Sequence, residues 1–178
     1  NKILTICAII VLIVLIALPF LFKDIENVKN DKKEETWYEM SGVSIIGHKD
    51  GKKEWILKIN DLKDSGKEKA ILNDLEEGKV YDKGQIKYLL YADGGEYNRT
   101  TENFTLTHNV IIESVDDNGE VIKTDEIHYD QDKKIMSSGK VEASKEDMTI
   151  TAEEMELDIE NKIYNFSGNA VMEFSIED

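Results

Sequence analysis

Three histidines, His48, His108 and His128, and one cysteine, Cys7, are the residues here best suited to ligate a metal or attack a carbonyl. Their spacing does not favour either chemistry. The histidines are far apart in sequence and have no Cys or His at ligand distance, so they read as turn or surface residues. Cys7 sits inside an apolar run and has no second cysteine to pair with, so it counts as a small hydrophobe. No Gly-x-Ser-x-Gly elbow occurs, and no glycine-rich loop opens a helix after a strand. The Asp and Glu residues are scattered over turns and outward strand positions. That pattern reads as solvated faces rather than a paired acid and base. We therefore expect no catalysis, no cofactor and no metal. The triplets starting at Asn98, Asn103 and Asn165 match the N-glycosylation acceptor pattern, which arises often by chance in chains rich in Asn and Thr.

The 178 residues carry a formal net charge of −15. Nucleic acid is excluded as a partner, because phosphate backbones call for a basic footprint. The same charge keeps the bulk of the chain from lying flat on an anionic bilayer.

Residues 3–22, ILTICAIIVLIVLIALPFLF, contain no charge and lie between Lys2 and Lys23. As a helix they would span roughly 30 Å, the thickness of a hydrocarbon core. A cleaved signal peptide would have a shorter core and a small-residue cleavage site, whereas this run ends in Pro19-Phe20-Leu21-Phe22. The expectation is an uncleaved transmembrane signal-anchor over 1–22 with its N-terminus in the cytoplasm. A mixed-charge tether over 23–36 would follow, then a body over 37–178.

The body alternates with period two. Trp55, Leu57 and Ile59 share a face, as do Phe104 and Leu106, then Val110 and Ile112, and then Met148 and Ile150. Turn signals stand at His48-Lys49-Asp50-Gly51, Asp93-Gly94-Gly95, Asp116-Asp117-Asn118-Gly119 and Asp130-Gln131-Asp132. KAILNDLEEGKVY, residues 69–81, has the nearest thing to a helical period, but reads as strand followed by turn.

A unit recurs roughly every 28 to 32 residues, starting at Ala92, Thr124 and Ala152. Each has an apolar residue followed by Asn or Asp: Tyr97-Asn98, Tyr129-Asp130 and Leu157-Asp158. A polar turn follows, then a strand opening at Phe104, Ile135 or Ile163. A break (THN, SSGK or SGN) precedes an outgoing alternating strand. The chain ends on such a strand, with Ala170, Met172, Phe174 and Ile176 on one side. Repetition at this period implies stacked β-units forming an all-β jelly roll or solenoid-like sandwich, with an apolar interior and edges open to pairing.

The segments A-x-x-G-x-Y-N-x(5)-F-x-L-x-x-N-V and T-D-x-I-x-Y-D…S-S-G-K-V resemble the repeat of the periplasmic lipopolysaccharide-transport proteins. The layout of anchor, tether and β-body resembles the LptC family over nearly the whole chain. One departure is His108-Asn109, where the family often has glycine before the outgoing strand; Gly139 and Gly168 keep it elsewhere.

The resemblance implies a twisted β-jelly roll in the periplasm, held at the inner membrane by residues 3–22. It implies receipt of lipopolysaccharide from inner-membrane ABC transporter subunits and delivery to a periplasmic bridge protein of the same fold. Acyl chains would ride in the apolar interior. Candidate groove residues are Trp55, Leu57, Ile59, Phe104, Leu106, Val110, Ile112, Tyr129, Val141, Ile150 and Leu157. The candidate partner edge is Ala170, Met172, Phe174 and Ile176. Burial of a lipid contributes about 0.8 kcal/mol per methylene, so ~10 methylenes would contribute about 8 kcal/mol without any positive charge. The alternatives are a packed core with no groove, in a β-edge docking adaptor, and an extracytoplasmic enzyme.

Overall fold

The computed structural model of the chain describes residues 37–175 apart from 65, 67 and 116–118. The expected anchor, the tether and Ile176 lie outside the described residues. The described residues belong to one compact unit, Thr36–Asp178. They form strands β1 (Tyr38–Lys49), β2 (Lys52–Asp64), β3 (Lys69–Asp82), β4 (Gln85–Asn98), β5 (Phe104–Ser114) and β6 (Val121–Asp130). Six shorter strands follow: β7 (Ile135–Ser138), β8 (Val141–Lys145), β9 (Met148–Ala152), β10 (Glu154–Asp158), β11 (Ile163–Ser167) and β12 (Val171–Phe174). All pair antiparallel in a single 12-stranded sheet, and no helix occurs among the described residues.

β1 to β6 follow one another as a meander, and the sheet then forks. The first half of β6, Val121–Thr124, pairs with β8, and its second half, Ile127–Asp130, pairs with β7. One branch continues through β10 to β11, the other through β9 to β12. Thr124, buried at the fork, places its hydroxyl 2.9 Å from the Lys140 carbonyl, giving that carbonyl a donor between β7 and β8.

The fork continues a line that crosses every earlier strand. Pairing slips at Lys58/Ile59, Leu75/Gly78, Tyr91/Gly94 and Thr107/Val110, so bulges stand side by side across the sheet. Gly42, Asp74, His108, Asn109, Gly168 and Asn169 adopt positive φ on or beside this line. Gly, Asn, Asp and His are the residue types that enter the left-handed region most readily. Bulges bend strands, and a row of them bends the sheet. The breaks THN, SSGK and SGN all fall on this line, so each recurring unit is one hairpin of a folded sheet. His108-Asn109 turns left-handed without glycine, which accounts for the departure at that break. Gly139, by contrast, has no positive φ.

The bend makes two layers face each other. Trp55 of β2 meets Phe104 of β5 edge-on at 5.2 Å and Tyr97 of β4 at 5.5 Å between ring centroids. Tyr88 of β4 and Tyr164 of β11 share a hydroxyl contact of 3.1 Å. These strands are not neighbours in the sheet, so the contacts cross the interior. We call the layer holding Trp55 and Tyr88 the front and the layer holding Phe104 and Tyr164 the back. Gly47 lies against the Trp55 ring, where any Cβ would overlap it.

Two local expectations are corrected. Asp93-Gly94-Gly95 is no turn; it lies inside β4, where the chain bulges and runs close to β5. A Cβ on Gly95 would strike the backbone of Thr105, so glycine serves close approach here rather than reversal. Residues 69–81 are one strand throughout, and Asp74, at positive φ, bends it instead of ending it.

Candidate functional site

Pairing register places inward side chains in rows running across the strands. Cα partners in antiparallel strands point to the same face, so a chain of partners is a continuous row. In the front layer one row reads Ile45, Leu57, Gly78, Leu90, Ile112, Ile122, Ala143, Ile150, Met172. It spans the front layer from its first strand to its last and contains no polar side chain. Its middle is buried, Ile45 and Ile150 are half-buried, and Met172 is 53% exposed. A back-layer row reads Tyr38, Asp64, Ala70, Tyr97, Phe104, Tyr129, Met136, Leu157, Tyr164. Its one charge, Asp64, pairs with Arg99 and accepts from the Gly66 amide at 2.7 Å.

The groove candidates fall into these rows and their neighbours. Trp55, Leu57, Ile59, Phe104, Leu106, Val110, Ile112, Tyr129, Val141 and Leu157 are buried, and Ile150 is half-buried against them. They form one apolar cluster drawn from both layers. The side chains are packed against one another, so the interior as it stands is filled by protein. Sequence reading missed the row neighbours Leu90, Ile122, Ile127 and Met136, and the tyrosine pair Tyr88 and Tyr164 that joins the layers. The alternation of β4 and β6 carried the signal for the first three.

The two ends of the interior differ. At the Trp55 end, the indole Nε1–H donates to Gln131 Oε1 at 2.6 Å. Gln131 Nε2 donates to Glu102 Oε2 at 2.5 Å and to the His48 carbonyl at 3.3 Å. Lys49 Nζ donates to the Asp132 carbonyl at 2.9 Å. One buried amide thus ties the β1–β2 hairpin to the β4–β5 and β6–β7 turns. Nearby, the buried Glu54 carboxylate faces Lys134 Nζ at 3.1 Å. Burial, and then the Glu54 and Asp130 charges, push the Tyr129 hydroxyl far above the usual tyrosine range. Burial also raises Tyr164, helped by its hydrogen bonds to Glu120 and Tyr88.

At the other end β12 pairs only with β9, and its outer edge is free among the described residues. Met172 lies opposite Ile150 and Phe174 opposite Met148, so one face carries four apolar side chains. Phe174 is 64% exposed, and Ala170 is also exposed. Among the described residues no layer covers either face of β12, which is exposed at every position. Among the described residues β1 is likewise paired on one side only, and it exposes Tyr38, Met40 and Ile46.

The histidines stay apart, exposed on β1, β5 and β6, with His128 Nδ1 3.0 Å from Thr105 Oγ1. Among the described residues, no group of three or more His, Cys, Asp or Glu is placed to hold a metal ion.

Fold and site together define a protein built around a packed apolar interior between two β-layers, with the outer edges of β1 and β12 free among the described residues. The sequence matches the lipopolysaccharide-assembly, LptC-related family over residues 4–172, and the chain belongs to that family. Membership carries a role in lipopolysaccharide transport, in a family of transport components rather than of enzymes. No curated protein matches the chain. Among solved structures, it resembles LptH of Pseudomonas aeruginosa, described as the LptA-homologous periplasmic component of the conserved lipopolysaccharide transport device. The TM-score is 0.50 at 12% identity, over 82% of this chain and 98% of that one. At that identity the likeness concerns the fold.

Proposed function

We propose that this protein is an inner-membrane-anchored lipopolysaccharide carrier whose β-body is a twisted jelly roll in the periplasm. Residues 3–22 hold it in the membrane as a single pass. It accepts lipopolysaccharide from inner-membrane ABC transporter subunits at its β1 end. It passes the lipid to a periplasmic bridge protein of the same fold that pairs with β11 and β12. The row from Ile45 to Met172 carries this reading, because it is a track without polar steps that emerges at both free edges. Acyl chains would replace protein–protein contacts along it as the layers part. The anionic sugars stay outside the apolar interior.

A second reading is favoured by the close packing of the groove candidates. In it the body is an adaptor that only docks strand edges, and its interior is a dry core. The two readings separate by photo-crosslinking. A crosslinking amino acid replaces Phe104, Tyr129 or Val141, with exposed Lys123 as the outward control. The carrier predicts ATP-dependent lipopolysaccharide adducts at the three interior positions and none at Lys123. An absence of interior adducts while the lipid still crosses the bridge would leave the adaptor.

A further inference from the structure

In a chain of charge −15, a surface site among the described residues runs against the overall sign. Lys52 and Lys53 open β2, and Lys83 and Gly84 form the β3–β4 turn. With Tyr81 they line a cavity of about 460 Å³. Among the described residues none of the three ammonium groups makes an ion pair, although most other lysines of the body do. Lys49, Lys58, Lys63, Lys69, Lys79, Lys133 and Lys134 all face carboxylates. The closest acids along the chain do not serve them. Glu54 pairs with Lys134, and Asp50 and Asp82 make no ion pair with the three. Lys53 is instead positioned 5.3 Å from the centre of the Tyr81 ring. A cation–π contact steers an ammonium without neutralising it. Gly84, at φ +81, leaves open space where a Cβ would stand, so backbone is accessible at the rim.

Three like charges around one cavity repel each other, and the sequence has acids to spare for pairing them. Left uncompensated, they suit a ligand that brings its own negative charge. Lysine acts on phosphate as a mobile point charge, and several lysines around a cavity can follow a phosphate group without fixed geometry. The same β1–β2 hairpin carries Trp55 into the apolar interior two residues beyond Lys53. From this we infer that Lys52, Lys53 and Lys83 form a phosphate-binding site at the β1–β2 and β3–β4 hairpin tips. It takes the phosphorylated head of the glycolipid whose acyl chains enter the apolar interior. This rests on the carrier reading for the lipid, though the site itself does not. The body therefore grips the head group at one point and repels it elsewhere.

The test uses the full chain in detergent micelles and three probes: lipopolysaccharide, the same lipid stripped of phosphate by phosphatase, and inorganic phosphate. Binding is followed by calorimetry at two salt concentrations, and the phosphate resonances by phosphorus NMR. The variants are Lys52→Gln/Lys53→Gln/Lys83→Gln and the charge-keeping Lys52→Arg/Lys53→Arg/Lys83→Arg. The site predicts at least a tenfold loss of lipopolysaccharide affinity in the Gln triple, with a weaker salt dependence. The Arg triple keeps wild-type affinity, and the stripped lipid binds all three proteins alike. Equal lipopolysaccharide affinity and salt dependence in wild type and the Gln triple would overturn the site. If neither lipid binds wild type, the carrier reading fails, and inorganic phosphate then decides the site alone. A phosphate resonance perturbed by wild type but not by the Gln triple supports it; equal behaviour overturns it.

Discussion

The Trp55 end and the β12 end of this molecule have similar apolar content and opposite treatment. At Trp55 the ring is enclosed by Gly47, Tyr97 and Phe104, and its only polar atom is satisfied by a buried amide. At β12, Met172 and Phe174 pair with Ile150 and Met148 across the ladder, and no described residue packs over them. Apolar alternation therefore says which residues share a face, while burial depends on whether a second layer lies opposite. The first end is where the layers hold each other. The second resembles half of an interface, with a free strand edge and an uncovered apolar face.

That contrast can be tested by substitution, starting at the enclosed end. Trp55→Ala removes the largest fully buried side chain and leaves a cavity. We expect a loss of about 3–5 kcal/mol, read as a lower urea midpoint. Gln131→Ala strands the buried indole N–H and should cost about 1–3 kcal/mol by the same measurement. Gln131→Glu keeps an acceptor for Trp55 but sets a second carboxylate against Glu102, so it should not restore stability.

Tyrosine ionisation gives a pH-dependent version. Tyr129 has a raised pKa in the fold, so its contribution is complete below the ordinary value of 10.0 and is lost as pH rises above it. Tyr129→Phe should flatten the alkaline fall in stability and leave the profile near neutrality unchanged in shape.

The bend line offers a smaller effect with an internal control. Asn109→Val forces a β-branched residue to φ 52 and should cost about 1–2 kcal/mol. Asn109→Gly keeps the backbone free and loses only the side-chain hydrogen bond to Asp93, so it should cost less. The β12 end should respond least. Met172→Ser with Phe174→Ser is expected to move stability by no more than ~0.5 kcal/mol. The same double variant should lose retention of the periplasmic bridge protein in a pull-down. A large stability loss there would show that β12 belongs to the core and would erase the contrast between the ends.

Much of this was legible along the chain. Period-two alternation marked β2, β5 and β9, and polar clusters marked the reversals after β1 and β6. The recurrence near 30 residues was visible too, because each hairpin must cross the same bend twice. These are local properties, set by which face each side chain takes and which residues tolerate a turn. The tertiary structure alone decided the rest. Asp93-Gly94-Gly95 has the composition of a turn and became a bulge, since a neighbouring strand lay within reach on either side. The fork at β6, the Trp55–Gln131 and Tyr88–Tyr164 contacts across the interior, and the unpaired lysines at the hairpin tips all join residues far apart in sequence. Such meetings depend on strand register and on the fold of the sheet, which no short stretch of sequence encodes by itself.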